Sequence, residues 1–221
     1  MITQMKTELA RTNMIKQQLR AWNVLDQATL DVYGNTHREN FVPEEFRDIA
    51  FADTEIPIGH GQTLMPPKEE GRLLQAIRVL DRERVLLIGV QTGYLLSILA
   101  KLSLHVCAVD PYEDLRASAN QNMKTLDLGN YTLIDGDVNS GWQKDAPYDV
   151  IVLTGSVPRI PQDLLNNVAV GGRLYAVVGN APNMSATLIT RESEKKWREE
   201  KLFETVRPRL PNVEETSHFE F

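Results

Sequence analysis

The run Val85-Leu86-Leu87-Ile88-Gly89-Val90-Gln91-Thr92-Gly93-Tyr94 decides how the rest of the chain is read. An uncharged apolar stretch, entered from Asp81-Arg82-Glu83-Arg84 and closed by a glycine turn, has the character of a strand buried on both faces of a parallel sheet. Beyond the turn, Leu95, Ile98, Leu99 and Leu102 recur at helical spacing, which predicts a helix over 94–102. Strand, glycine loop and helix together form the opening of a nucleotide-binding crossover. Spacing alone leaves the loop ambiguous. Gln91 stands where a middle glycine would let a ligand approach the backbone, and Gly89 and Gly93 suit a tight turn without a ligand equally well.

Downstream, His105-Val106-Cys107-Ala108-Val109 is a second apolar run, ending in Asp110-Pro111. An acid at the end of the second strand, about 20 residues beyond the glycine loop, is placed to hold a ribose diol. The competing role for Asp110 is to cap the following helix, with Pro111 at its first position, and two carboxylate oxygens allow both roles. Strands are predicted over 131–134, before Asp135-Gly136-Asp137, and over 148–153, before Gly155-Ser156-Val157-Pro158. A short helix over 161–167, a Gly171-Gly172 turn and a strand over 173–178 follow. The last two strands, 186–191 and 202–207, flank the charged turn 192–196 and pair as an antiparallel edge. The pattern predicts an α/β fold with an open, mostly parallel seven-stranded sheet flanked by helices. Its ligand site belongs at the strand C-termini, at 89–93, Asp110, 135–137 and 154–156.

Upstream, residues 5–25 place Met5, Leu9, Ile15, Leu19 and Trp22 near one helical face, with Lys6, Arg11, Lys16 and Arg20 elsewhere. This predicts an amphipathic helix packed on the main domain. Asp26 is the expected N-cap of a second helix through Tyr33, ended by Gly34-Asn35, and Phe41-Val42-Pro43 starts an extended piece. The stretch Ile56-Pro57-Ile58-Gly59-His60-Gly61-Gln62-Thr63-Leu64-Met65-Pro66-Pro67 reads as a long irregular loop, and loops of this length are often functional. His60 there is either a surface histidine with a local hydrogen bond or a proton-transfer group. A helix over 69–80 follows, with Leu73, Leu74, Ile77 and Leu80 apolar.

Composition narrows the function classes. With 221 residues, 42% hydrophobic, the chain supports one main domain with a sizeable core. A net charge of -6 and no basic block argue against nucleic acid as a partner. Cys107 is the only cysteine, so a disulfide framework is excluded and a reducing compartment is expected. Lys6, Glu8, Arg11, Lys16 and Arg20 interrupt any signal-peptide core, and no apolar run approaches ~18 residues, so a soluble, cytoplasmic protein without membrane contact is expected. No metal site is expected.

With these residues assembled, nearly the whole chain resembles the protein-L-isoaspartate O-methyltransferases, a family of class I methyltransferases. The resemblance rests on Phe41-Val42-Pro43, Ala52-Asp53, the specific string Pro57-Ile58-Gly59-His60-Gly61-Gln62-Thr63, the glycine loop with Tyr94, and Val106-Cys107-Ala108-Val109-Asp110. It continues through Leu126-Asp127-Leu128, Gly136-Asp137, Gly141-Trp142, Pro147-Tyr148-Asp149, Gly171-Gly172 and Val178-Gly179. It implies a Rossmann-like fold with an N-terminal helical extension, in one domain: residues 1–80 as helices and covering loop, 81–221 as the core with a C-terminal hairpin.

The cofactor implied is S-adenosylmethionine. Gly89, Gln91 and Gly93 would lie beside its methionine part, Asp110 and Pro111 at the ribose, Gly136 and Asp137 near the adenine, and Thr154 at the adjoining strand end. Gln62 and Thr63 are the implied catalytic residues, and Ile58, His60, Gly61 and Met65 the substrate side. The reaction implied is methyl transfer to the α-carboxylate of isoaspartyl residues in damaged proteins or peptides, by a monomer or weak dimer. A carboxylate is already ionised at pH 7, so no general base is needed, in keeping with the absence of an acid–base pair from the sequence.

Four positions depart from the family, all near the implied site. The acid of the central strand is Leu87, the middle glycine is Gln91, the glycine after Gly136-Asp137 is Val138, and the substrate-side serine is Met65. A lost charge-assisted hydrogen bond costs about 1.5–3 kcal/mol, which weakens cofactor binding roughly ten- to a hundredfold. A micromolar cofactor has only about 8 kcal/mol to lose. Two readings therefore follow: a working methyltransferase with a rebuilt cofactor pocket, or a catalytically silent relative kept as a binding or regulatory module. A dinucleotide oxidoreductase is disfavoured because the loop lacks G-x-G-x-x-G.

Overall fold

The computed structural model describes residues 2–140 and 142–213, so Gly141 of the Gly141-Trp142 pair lies outside the described residues. At its centre is β3 (Arg84–Ile88), the first strand of the crossover. It pairs in parallel with β4 (His105–Asp110) on one side and with β6 (Tyr148–Val157) on the other. Beyond β4 lies β5 (Tyr131–Asp135), and beyond β6 come β7 (Val168–Asn180), β8 (Asn183–Arg191) and β9 (Trp197–Glu204). The order is β5-β4-β3-β6-β7-β8-β9, with the β7–β8 and β8–β9 pairs antiparallel. Strand order reverses between β3 and β6, which puts the topological switch point at the C-terminal end of β3.

Alternation along β3 serves two cores. Val85 and Leu87 join the larger core with α4 (Tyr94–Leu102), α5 (Glu113–Thr125) and the N-terminal helices. Leu86 and Ile88 join Trp142, Tyr148 and Leu164 of α6 (Gln162–Asn166) on the other side. This two-sided burial is the reason the run carries no polar residue.

The N-terminal helix departs from expectation. α1 (Ile2–Asn13) passes into a π-helical segment, Met14–Leu19, and then a 3₁₀ turn, Arg20–Trp22, that ends at Asn23 with φ 60°. Met5 and Leu9, expected to face inward, are 74% and 61% exposed, and Trp22 is also exposed, with Lys68 over its ring. The buried side chains are Arg11, Met14 and Leu19. A π turn holds more residues than an α turn and rotates every later side chain around the axis, so a single helical face cannot be extrapolated across it.

The second helix matches its sequence: α2 (Gln27–Gly34) is capped by Asp26, whose carboxylate accepts the Thr29 amide at 2.8 Å. The loop expected over 56–67 contains a small antiparallel pair, β1 (Ile56–Pro57) and β2 (Thr63–Leu64). α3 (Pro67–Ile77) starts before the expected Glu69, because Pro67 is preset for the first turn, and stops before Leu80, with Arg78 at φ 42°. Arg173 takes over there, donating to the Ile77 and Arg78 carbonyls while paired with Glu83. The last strand is also earlier than the expected 202–207, because the tight turn bonded from Glu192 to Lys196 sets Arg191 opposite Trp197. Residues 205–210 leave the hairpin and return across the strand ends, where the Ser156 amide donates to Pro208 and the Leu210 amide to Ser156.

Arg38 joins the N-terminal segments to the start of α4. Fully buried, it donates to Glu70 Oε2 at 2.9 Å, the Met65 carbonyl at 2.7 Å and the Ala50 carbonyl at 3.0 Å. Its guanidinium lies 4.8 Å from the centre of the Tyr94 ring, and the Tyr33 hydroxyl donates to Glu70 at 3.2 Å. Burial pushes the Glu70 carboxyl up against the opposing pull of Arg38. Removing one partner of such a pair leaves an uncompensated buried charge. Arg38→Met should therefore destabilise the protein by about 3–5 kcal/mol in urea unfolding, and adding Glu70→Leu should restore part of that loss.

Candidate active site

The glycine loop leaves β3 through three residues of positive φ: Gly89 at 87°, Gln91 at 57° and Gly93 at 89°. Gly89 faces Thr154 so closely that a Cβ would come 2.1 Å from its hydroxyl, which donates to the Gly89 carbonyl at 3.0 Å. At Gly93 the constraint is α5, where a Cβ would lie 3.0 Å from the Ala119 backbone. Gln91 has no such excuse for its backbone. It adopts a glycine-favouring conformation while carrying a side chain.

Asp110 turns back to this loop. It is 4% exposed, and its two oxygens accept the Val90 amide at 2.8 Å and the Tyr112 amide at 3.0 Å. Burial pushes its carboxyl up, while the hydrogen bonds from the Tyr112, Val90 and Gln91 amides pull it down. The expected capping role fails: Tyr112 occupies the N-cap position and α5 begins at Glu113, so Pro111 is not its first residue. The Asp110 carboxylate instead ties the end of β4 to the glycine loop, with Pro111 partly exposed beside it.

The hairpin β1–β2 lies over this end of the sheet. Its tip, Gly59-His60-Gly61, runs entirely at positive φ, at 93°, 53° and 66°. The His60 ring stacks on Tyr112 with centroids 3.9 Å apart, and its Nε2 lies 2.9 Å from Asp114 at the start of α5. That contact holds the Asp114 carboxyl below its ordinary value. Gln62 Nε2 donates to the Arg209 carbonyl at 3.0 Å. The Thr63 carbonyl accepts both Gln91 Nε2, at 2.6 Å, and Arg207 Nη2, at 3.0 Å.

Residues 207–212 form a strap along the same edge. Arg207 is buried and paired with Glu55, Leu210 packs at Gly89 and Gly155, and Asn212 Nδ2 donates to Asp137 at 2.8 Å. Gly136 and Asp137 are partly exposed beyond β5, and the second Asp137 oxygen accepts the Asn139 amide.

Of the residues singled out from sequence, Gly89, Gln91, Gly93, Asp110, Thr154, Gln62, Thr63 and His60 are connected by these contacts, and Asp137 is tied in through the strap. Ile58 is partly exposed and Gly61 exposed on the hairpin. Leu87, Met65 and Val138 are all packed into the apolar cores. Arg38, Tyr112, Asp114, Arg207, Leu210 and Asn212 were not singled out. Asp114 had only the ordinary signature of an acid in a first helical turn, and the strap had only its prolines, Pro208 and Pro211, as a break in strand pattern.

The residues present can be tested against the cofactor that the resemblance implies. Of the buried hydroxyls without a partner among the described residues, those of Tyr94 and Tyr175 lie in the apolar core, whereas Thr63 Oγ1 is on the hairpin and Thr92 Oγ1 on the glycine loop. A buried polar group normally has a partner, so each threonine suits a polar ligand. The Asp110 carboxylate retains lone-pair capacity beyond its bonds from backbone amides. These groups fit a nucleoside cofactor; the Gln91 side chain reaches from the glycine loop to the hairpin. Among the described residues no group of three or more His, Cys, Asp or Glu is placed to hold a metal, and no helix is long and apolar enough to cross a membrane.

Comparison with known proteins bears on the family and the fold. Residues 10–207 match the family model described as protein-L-isoaspartate(D-aspartate) O-methyltransferase. The chain is 37% identical over 169 residues to protein-L-isoaspartate O-methyltransferase 1 of Rhodopseudomonas palustris, covering 76% of this chain and 69% of that one. A solved protein-L-isoaspartate O-methyltransferase superposes with a TM-score of 0.78 at 20% identity, over 90% of this chain and 65% of that chain's length. A Plasmodium falciparum protein assigned to the same activity, solved with S-adenosyl-L-homocysteine, gives 0.76 at 20% identity, over 92% and 97%. At that identity the two structures speak for the fold alone.

The contact between His60 and Asp114 predicts a pH response of the hairpin. A depressed carboxylate contributes above its unfolded pKa and stops contributing as pH falls through its lowered folded value. Hydrogen-exchange protection of residues 56–64, taken relative to intrinsic rates, should be full above the ordinary aspartate range, begin to fall as pH drops into that range, and lose the whole contribution once pH passes the lowered Asp114 value. In Asp114→Asn it should be lower at neutral pH and lose that acid step.

Proposed function

Because the chain belongs to the protein-L-isoaspartate O-methyltransferase family, we propose that it transfers the methyl group of S-adenosylmethionine to the α-carboxylate of isoaspartyl residues in damaged proteins or peptides. The observation that carries this reading is the joining of Asp110, the glycine loop and the hairpin at the switch point of the sheet. In this assignment Gly89, Gln91 and Gly93 flank the methionine part, Asp110 and Pro111 hold the ribose, Gly136 and Asp137 adjoin the adenine, and Thr154 supports the loop. Thr63 and Gln62 face the reacting groups. Ile58, His60 and Gly61 form the substrate side, with Met65 contributing through its packing.

The bound cofactor supplies an electrophilic methyl on a sulfonium, and the isoaspartyl carboxylate needs no activation at neutral pH. The work left to the protein is alignment and exclusion of water. The hairpin suits both tasks, since its contacts with α5, the strap and the glycine loop cover the strand ends. The unpaired Thr63 hydroxyl is available to orient a carboxylate. The methyl ester so formed collapses spontaneously to a succinimide, which opens the route to repair. On the same reading, residues 1–80 cover the core 81–221 within one domain, which acts in the cytoplasm as a monomer or weak dimer.

A second reading, a silent binding module, is favoured by Leu87, which fills with apolar packing the position of the family's acid. One titration separates the two. Calorimetry of the cofactor-stripped protein with S-adenosylhomocysteine should give micromolar binding that Asp110→Ala reduces at least tenfold, with methyl transfer to an isoaspartyl peptide lost in parallel. No binding at millimolar ligand favours the silent module.

A further inference from the structure

Within the glycine loop, Gln91 alone sends a long side chain toward the hairpin. The residue is 5% exposed, its backbone lies at φ 57°, and Nε2 donates to the Thr63 carbonyl at 2.6 Å. That bond joins the glycine loop directly to the hairpin. The other side-chain anchors of the hairpin reach elsewhere, His60 to Asp114 on α5 and Gln62 to Arg209 on the strap. Arg207 shares the Thr63 carbonyl with Gln91, so that oxygen keeps one buried donor when the Gln91 contact breaks. A strained backbone with its side chain spent on a single cross-cleft bond indicates a constraint on the site.

We propose that Gln91 is an affinity-setting residue for the cofactor: its carboxamide clasps the hairpin onto the glycine loop in the free protein and must release Thr63 before the methionine end of S-adenosylmethionine can enter. The proposal rests on the methyltransferase reading. It assigns the departure from glycine at this position a consequence, a weaker and slower cofactor, in place of a lost site. The energy of the clasp is subtracted from that of binding, since only the open form accepts the ligand.

Gln91→Gly removes the clasp and suits the left-handed backbone. Gln91→Glu keeps the bulk but sets a carboxylate against the Thr63 carbonyl, which breaks the clasp by repulsion. Both variants should show faster amide exchange at Ile58 and Gln62 in the free protein, whose amides are bonded within the hairpin. Gln91→Gly should also bind S-adenosylhomocysteine about three- to tenfold more tightly than wild type, as the net worth of one hydrogen bond allows. Unchanged exchange in both variants, or binding by wild type with no gain in Gln91→Gly, overturns the proposal. No binding by either protein at millimolar ligand overturns the methyltransferase reading and the affinity role with it.

Discussion

A single buried guanidinium sets the relation between the two parts of this chain. Arg38 has no contact with water, so its donors must be met inside the protein, and they are met by the Ala50 and Met65 carbonyls and the Glu70 carboxylate. Those partners lie on the segment before the hairpin, at its exit and on α3. The Tyr94 ring beneath the guanidinium belongs to the first residue of α4, directly after the glycine loop. Hairpin and glycine loop are thus positioned from one charge, which is where the cleft between them acquires its geometry. Such a pair adds little to net stability compared with apolar packing, yet is costly to break. It constrains arrangement more than it contributes energy.

On that frame the hairpin is held by contacts of different character. The stack of His60 on Tyr112 and its bond to Asp114 lie at the exposed rim, where solvent screens the charge. The bond from Gln91 to Thr63 lies inside, where a hydrogen bond counts for more and a missing partner costs more. Opening such a hairpin requires both the rim contacts and the inner bond to release, while the sheet beneath is undisturbed. The departures from the family then differ in kind. Leu87 and Val138 complete the apolar cores, Met65 lends Arg38 its carbonyl, and Gln91 alone acts across the cleft.

Much of the fold was legible because its determinants are local. Apolar runs uninterrupted by charge marked β3, β4 and β6, the spacing of Leu95, Ile98 and Leu99 marked α4, and Asp26 marked the start of α2. Where legibility failed, a distant contact had replaced a local preference. The π segment after Asn13 rotated the N-terminal face, Arg173 accepted the end of α3, and Asp110 gave its oxygens to the glycine loop and Tyr112 rather than to a helix cap. Arg38 looks in sequence like any surface arginine, since nothing local distinguishes a guanidinium that will be buried.

The sequence by itself determined the α/β class, most of the core strands and the family, because hydrophobic period, glycine spacing and the 57–63 string are properties of neighbouring residues. Only the tertiary structure decided that Gln91 reaches Thr63, that His60 meets Asp114 and that residues 207–212 return over Gly89. Those contacts join residues 28, 54 and more than 100 positions apart, and a side chain's direction across such distances is set by what packs around it.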